Sequence, residues 1–237
     1  MQSNPIIVAL DVQNAETALR LTEQLAGVVG AFKIGSELFT TAGPEIVRRI
    51  RALGGSVFLD LKFHDIPNTV AKAIASAVQL DVQMLTIHTS GGSAMMRAAE
   101  QSACETARKL GLTPPLVLGV TVLTSFENKD LAELGIEPDS ARQVERLARL
   151  AANSGLRGLV CSPLEVSMLR KILPAQVQLV TPGIRATTDA SNDQKRTLNA
   201  SEALVAGANW LVIGRPIYGA ENPREAAERI LASITGN

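Results

Sequence analysis

The chain has 237 residues, enough for one large domain or two small ones. Hydrophobic residues make up 46% and charged residues 19%, and 23 lysines and arginines balance 23 aspartates and glutamates. The zero net charge argues against a protein that coats nucleic acid, and no apolar run reaches the roughly 18 residues of a membrane span.

Short runs of valine, isoleucine and leucine alternate along the chain with longer segments of helical spacing. The predicted strands cover residues 6–10, 31–34, 56–60, 84–88, 116–122, 158–161, 178–181 and 210–213. The predicted helices cover residues 15–25, 44–53, 69–78, 93–110, 140–153, 163–173, 194–206 and 223–234. Eight strands alternating with eight helices in about 240 residues predict an α/β protein with the (β/α)₈ TIM-barrel fold.

One domain is expected over residues 1–237. Neither a linker rich in proline, glycine or serine nor a shift in composition divides the chain. A doubly wound open sheet is the alternative architecture. It is disfavoured because the glycine-rich phosphate loop typical of that fold does not follow the first strand after Leu10.

Polar residues recur where the predicted strands end. In a barrel of this type the active site lies at the carboxyl ends of the strands. The residues there are Asp11, Lys33, Gly35, Asp60, Lys62, His88, Thr121, Thr124, Ser162, Thr181, Gly214 and Arg215. Since nearly every strand contributes a polar group, we expect a polar rim around this end of the barrel.

The segment 60–69, Asp-Leu-Lys-Phe-His-Asp-Ile-Pro-Asn-Thr, concentrates charge after an apolar strand. Side chains alternate along a strand, so Asp60 and Lys62 should point to the same side, and Asp65 follows in a loop. Lys33 lies on the neighbouring strand, about 5 Å away, and should face Asp60. Because buried charges need partners, the cluster indicates a catalytic site, with a structural ion-pair network as the alternative.

Two segments near the C-terminus point to a phosphate group. In 213–219, Gly214 allows close approach of a ligand and Arg215 can hold a phosphate in a fork. The segment 181–194 is long, polar and without periodicity, which is typical of a lid. Arg185 and Gln194 could close with it on the same phosphate. A surface arginine and a plain surface loop are the alternatives.

The remaining ionisable residues indicate no metal site. His88 is expected to be structural, and the role of His64 is open. No set of histidine, aspartate and glutamate has metal-ligand spacing. The two cysteines lie far apart and the N-terminus lacks a secretory signal, so we expect a cytoplasmic protein with reduced thiols.

These residues resemble orotidine 5′-phosphate decarboxylase. The segment 60–69 resembles the family signature, and further matches are Asp11 and residues 32–35, 121–125, 182–185 and 213–216. The matches run from residue 6 to beyond residue 219. The resemblance implies a homodimeric (β/α)₈ barrel that converts orotidine 5′-monophosphate to UMP and CO₂ in de novo pyrimidine biosynthesis, with neither a metal nor an organic cofactor.

The resemblance also implies a catalytic role for four charged residues. Lys62 would protonate the carbon that loses CO₂, and Asp60 would lie beside the departing carboxylate. Lys33 would hold Asp60 and contact the ribose. Asp65 would reach into the active site of the other subunit.

The other matching residues would bind substrate. Asp11 and Thr69 would bind ribose hydroxyls, and Thr124 would bind the edge of the pyrimidine. The residues that would hold the phosphate are Arg185, Gln194, Gly214 and Arg215.

Two other functions are compatible with parts of this pattern. Mg²⁺-dependent sugar-phosphate lyases and decarboxylases of the same superfamily share an Asp-x-Lys-x-x-Asp pattern. They resemble one another in carrying a glutamate where this chain has Lys33, and a lysine there would repel a metal. A non-catalytic nucleotide-binding barrel could use Arg185 and Arg215, but it would not need the charges at the end of the third strand.

Overall fold

The computed structural model describes residues 4–184 and 198–235, and its strands form a closed parallel barrel. Each strand pairs with the next, and the first pairs with the eighth. The strands are β1 (Ile6–Ala9), β2 (Ala31–Gly35), β3 (Val57–Phe63), β4 (Met84–His88), β5 (Leu116–Val120), β6 (Gly158–Val160), β7 (Gln178–Thr181) and β8 (Trp210–Ile213). The predicted (β/α)₈ barrel is confirmed.

The helices of the described residues surround the barrel. They are α1 (Ala15–Leu25), α2 (Ser36–Ala42), α3 (Glu45–Ala52), α4 (Pro67–Val78), α5 (Gly92–Leu110), α6 (Asn128–Glu133), α7 (Ser140–Asn153), α8 (Val166–Ile172), α9 (Ala200–Val205), α10 (Arg215–Tyr218) and α11 (Pro223–Thr235). Short 3₁₀ turns, Thr89–Gly91 and Pro163–Glu165, precede α5 and α8. Within the part of the chain that the structure describes, no helix combines the length and the apolar character needed to cross a membrane.

Capping side chains fix the two helices whose predicted bounds agree with the structure at both ends. Asn14 precedes α1 and accepts a hydrogen bond from the backbone N–H of Thr17 at 2.9 Å. Asp139 precedes α7 and accepts one from the N–H of Arg142 at 3.0 Å. These bonds satisfy backbone donors that the first helical turn leaves without partners.

The core has two layers separated by the barrel wall. Alternate side chains of the strands fill the barrel interior; they include Ile7, Ala9, Ala31, Phe58, Met84, Leu118, Val180 and Val212. The intervening side chains, such as Ile6, Val8, Leu85 and Ile87, pack outward against the helices. Because the lower part of the barrel is filled, a ligand can enter only above this layer, at the carboxyl ends of the strands.

Candidate active site

A cavity of about 690 Å³ opens at the carboxyl ends of the strands. This volume lies in the range of small-molecule sites, about 300–1,000 Å³. The wall formed by the ends of β1, β2 and β3 is charged, with Asp11, Lys33, Asp60 and Lys62. We call these four residues the charged wall.

Charges alternate in sign along the charged wall. The Nζ atom of Lys33 lies 2.9 Å from Oδ1 of Asp11 and 3.8 Å from Oδ2 of Asp60. Nζ of Lys62 lies 2.8 and 2.9 Å from the two carboxylate oxygens of Asp60. The side chains of Lys33 and Asp60 are only 12% and 14% exposed, whereas that of Lys62 is 36% exposed. The structure therefore places two ammonium groups around one nearly buried carboxylate, and leaves one of them open to the cavity.

A bulge in β3 gives Lys62 its position. The pairs Leu59–Leu85 and Phe63–Ile87 are in register, so residues 60–62 of β3 stand opposite Thr86 alone in β4. Lys62 adopts φ 50°, in the left-handed region. For a residue other than glycine this conformation costs about 1–2 kcal/mol, and such strain is concentrated at functional sites.

The predicted strand 56–60 ends before this bulge, whereas β3 continues to Phe63. The sequence placed Asp60 and Lys62 on one side through regular alternation. In the structure their side chains do meet, but they do so through the left-handed turn at Lys62.

The opposite wall of the cavity is apolar. It is formed by residues at the ends of β5, β6 and β7, including Val120, Val122, Leu123, Val160 and Pro182. We call these residues the apolar wall. Thr124 follows Leu123 and also lines the cavity.

Of the four polar residues expected at the rim on this side of the barrel, Thr124 lines the cavity, whereas the expectation is wrong for Thr121, Ser162 and Thr181. Thr121 is 5% exposed, and its hydroxyl donates to the carbonyl of Val160 at 3.4 Å. Ser162 is fully buried, and its hydroxyl oxygen accepts from the N–H of Leu164 at 3.4 Å. Thr181 is also fully buried. A polar residue near a strand end can satisfy the backbone instead of facing the cavity, which explains the first two cases.

The end of β8 closes the cavity between the two walls. Gly214 and Arg215 line it, together with Gly183, Ile184 and Tyr218. Arg215 is the first residue of the short helix α10, which the sequence did not predict. Arg185 and Gln194, the other predicted phosphate ligands, lie outside the described residues.

Asp65 and Thr69 are not among the described residues that line the cavity. Asp65 is exposed in the loop before α4, where its carboxylate accepts from the N–H of Ile66 at 2.6 Å. Thr69 is exposed in the first turn of α4, and Ile66 is 66% exposed. Within one chain, these two predicted site residues are thus not part of the cavity lining that includes the charged wall.

Two further ionisable residues near the charged wall and the cavity, His88 and Cys161, are uncharged at neutral pH. The rings of His88 and His64 lie 5.4 Å apart. Burial lowers the pKa of His88 from 6.5, and the neighbouring His64 and Lys62 lower it further against the opposing effect of Asp60. Cys161 also lines the cavity, and complete burial raises the pKa of its thiol to about 12. At neutral pH His88 is therefore an uncharged imidazole and Cys161 a thiol.

Thr86 contacts both Asp60 and Lys62, and it was not predicted from the sequence as a residue of the site. Its buried hydroxyl donates to Oδ1 of Asp60 at 2.9 Å and accepts from the backbone N–H of Lys62 at 2.9 Å. A signal was present: Thr86 is polar, yet it lies between Leu85 and Ile87 within a buried strand. Its position alternates with those two residues, which points it into the barrel.

Comparisons with known proteins agree with the predicted resemblance. The model of the family described as "Orotidine 5'-phosphate decarboxylase / HUMPS family" matches residues 4–230. Orotidine 5′-phosphate decarboxylase from Paramagnetospirillum magneticum is 49% identical over 231 residues, 98% of each chain. The enzyme of that name from Opitutus terrae is 49% identical over 229 residues, 97% of each chain.

A solved structure extends the similarity to the fold. The crystal structure of orotidine 5′-phosphate decarboxylase from Lactobacillus acidophilus matches with a TM-score of 0.88 at 35% identity. The match covers 98% of this chain and 99% of that one. Together with the sequence matches, it confirms the resemblance that segment 60–69 indicated.

Proposed function

The chain belongs to the orotidine 5′-phosphate decarboxylase / HUMPS family, and on this premise we propose that it converts orotidine 5′-monophosphate to UMP and CO₂. The observation that carries the proposal is the Lys62 ammonium group, held at 2.8 Å by Asp60 and open to the cavity. This reaction would serve de novo pyrimidine biosynthesis.

Lys62 is proposed to stabilise the developing carbanion and then to protonate it. Loss of CO₂ leaves an electron pair in the plane of the pyrimidine ring, where conjugation gives it little stabilisation. An ammonium group fixed beside that carbon lowers the energy of the charge as it forms and supplies the proton. The new C–H bond takes the proton from Nζ, and Lys62 regains a proton from solvent afterwards.

Asp60 and Lys33 are proposed to prepare Lys62 for this step. Asp60 holds the ammonium group through both carboxylate oxygens, and Lys33 balances the charge of Asp60 from 3.8 Å. Asp60 would also lie beside the substrate carboxylate. Two like charges about 4 Å apart repel by about 4 kcal/mol at an effective dielectric of about 20, which would raise the energy of the bound substrate.

The shape of the cavity supports one orientation of the substrate. The pyrimidine would pack against the apolar wall, with its edge at Thr124. The ribose would lie at Asp11 and Lys33, whose charges suit hydroxyl groups. The phosphate would lie at Gly214 and Arg215, where a guanidinium group can grip its oxygens. Arg185 and Gln194 are proposed as further phosphate ligands on the strength of the sequence.

Asp65 and Thr69 are proposed to complete the active site of a second subunit. Both are exposed and are not among the residues that line the cavity of their own chain, and Ile66, which follows Asp65, exposes an apolar side chain. A homodimer that packs this surface against its partner would bring Asp65 to the partner's Lys62 and Thr69 to the partner's ribose site.

A Mg²⁺-dependent reaction of the same superfamily is the rival function, since the family description also includes HUMPS. The charged wall argues against it. Lys33 occupies the space between Asp11 and Asp60, the two carboxylates that could ligate a metal there. A divalent cation would have to enter against the charges of Lys33 and Lys62, so we propose that the reaction needs no metal.

Turnover in the presence of a chelator tests the proposal. Purified protein in excess EDTA is expected to consume orotidine 5′-monophosphate. The reaction is monitored by the decrease in the ultraviolet absorbance of this substrate. No turnover at stoichiometric enzyme would exclude decarboxylation and would favour a nucleotide-binding barrel. Turnover only after addition of Mg²⁺ would favour the metal-dependent rival.

A further inference from the structure

We infer that Thr86 is a positioning residue that fixes the distance between Asp60 and Lys62 by holding the bulge of β3. The inference rests on the proposed function, because it assigns Thr86 a part in preparing Lys62 for proton transfer. Its basis is the pair of hydrogen bonds that joins the Thr86 hydroxyl to both catalytic residues.

Because of the bulge, one backbone N–H group of β3 cannot form its hydrogen bond with the backbone of β4. Residues 60–62 stand opposite one residue of β4, so the regular ladder is interrupted between Leu59 and Phe63. The backbone N–H of Lys62 would then lack a partner in the barrel interior. The hydroxyl oxygen of Thr86 accepts from it at 2.9 Å. A side chain thus replaces the missing ladder bond and stabilises the left-handed conformation of Lys62.

The same hydroxyl fixes the carboxylate. A threonine hydroxyl can donate one hydrogen bond while it accepts another, and Thr86 uses its proton to bind Oδ1 of Asp60 at 2.9 Å. Oδ1 is also the oxygen that receives Nζ of Lys62 at 2.8 Å. One buried atom therefore sets both the backbone direction of Lys62 and the position of the carboxylate that holds its ammonium group.

Loss of the Thr86 hydroxyl should change the relative position of Asp60 and Lys62 more than it changes the affinity for substrate. Without it, the N–H of Lys62 and one oxygen of Asp60 each lose a buried partner, and the strained φ of Lys62 loses its support. The residues proposed to bind phosphate and pyrimidine, Arg215 in α10 and Thr124 after the end of β5, do not belong to this hydrogen-bond pair and should keep their positions. We therefore expect a fall in kcat without a comparable change in KM.

Thr86→Val tests the inference, because valine keeps the shape of threonine and can neither donate nor accept a hydrogen bond. Its kcat is expected to fall about tenfold to hundredfold, the effect of displacing a reacting group by a fraction of an ångström to 1 Å. Its KM should stay within about threefold of wild type. Thr86→Ser keeps the hydroxyl and should restore kcat to within about threefold.

Thr22→Val is the matched control. Thr22 is equally buried, but its hydroxyl donates only to the carbonyl of Ala18 within α1, away from the cavity. The Thr22→Val variant should have a lower free energy of unfolding than wild type and an unchanged kcat. If Thr86→Val does not fold, Thr86→Ala removes the hydroxyl without introducing a branched apolar side chain facing the two polar groups.

Two kinetic outcomes would overturn the inference. One is a kcat of Thr86→Val within threefold of wild type; the other is an equal loss in Thr86→Ser, which would assign the effect to the methyl group. A crystal structure of Thr86→Val gives a readout that does not depend on activity: a shift of Lys62 to negative φ supports the inference, and unchanged Asp60–Lys62 geometry refutes it. Inactivity of the wild type would reject the proposed function and leave this structural test in place.

Discussion

Removal of the Lys62 ammonium group is the perturbation that most directly tests the proposed chemistry. Nζ lies 2.8 Å from Oδ1 of Asp60 at the edge of the cavity, so its charge is fixed beside the substrate site. A unit charge about 4 Å from a developing carbanion stabilises it by about 4 kcal/mol at an effective dielectric of about 20, or about a thousandfold in rate. Loss of the proton donor removes a further factor of about 10²–10⁴. Lys62→Ala is therefore expected to lower kcat by about 10⁵-fold or more.

The assay follows the ultraviolet absorbance of orotidine 5′-monophosphate at stoichiometric enzyme, and calorimetry measures the binding of UMP. UMP should still bind to Lys62→Ala, because the groups proposed to bind its phosphate and pyrimidine are intact. Lys62→Gly provides a second variant that adopts φ 50° without strain, so misfolding can be separated from lost chemistry. Lys72→Ala, at an exposed position of α4, is the control and should behave as wild type. A kcat of Lys62→Ala within about tenfold of wild type would refute the proton-donor role.

Two further predictions concern the second subunit and the response to acid. Mixing the Asp65→Ala and Lys62→Ala variants should restore part of the activity that each variant lacks alone. The reason is that a mixed dimer would contain one active site with both Lys62 and Asp65 intact. A mixture as inactive as the two separate variants would contradict an active site shared between subunits. The pKa of His88 is lowered in the folded protein, chiefly by burial, so the unfolded chain binds the proton more readily and stability should fall as the pH drops below 6.5. His88→Asn should therefore lose less unfolding free energy than wild type between about pH 7.5 and about pH 5.5, measured by urea denaturation, and equal losses would show that His88 does not contribute.

The barrel could be predicted because its strands are buried on both faces. Such strands form nearly continuous apolar runs, and each run here is followed by a segment of helical period. The predicted strand ends fall within three residues of those in the structure. Helices α2, α6 and α10 were missed because they have four to seven residues, too few for a periodic pattern. The predicted helix 194–206 begins outside the described residues, and its described part is α9.

The charged wall could be predicted from residue type, but the route by which it forms could not. A left-handed backbone conformation can be predicted where the sequence has glycine or asparagine, which adopt it readily. Position 62 is a lysine, so the sequence does not indicate that its φ is positive. The bulge depends on the register of β3 against β4, which is a property of two distant segments together. Polar residues at strand ends were also ambiguous, since Thr121 and Ser162 bind backbone groups instead of facing the cavity.

The apolar wall has a consequence for the charged wall that faces it. A charge acts more strongly where apolar atoms exclude water, because the effective dielectric is lower there. Val120 and Val160 leave a bound pyrimidine little polar surface on that side, so the ammonium group of Lys62 would be the main polar partner of the reacting carbon. The neutral state of His88 fits the same arrangement, since a third cation, at the end of β4, would compete with Lys33 and Lys62 for Asp60. If Lys62 is the proton donor, as proposed, its strength would depend on the uncharged residues of the apolar wall as well as on its charged partners.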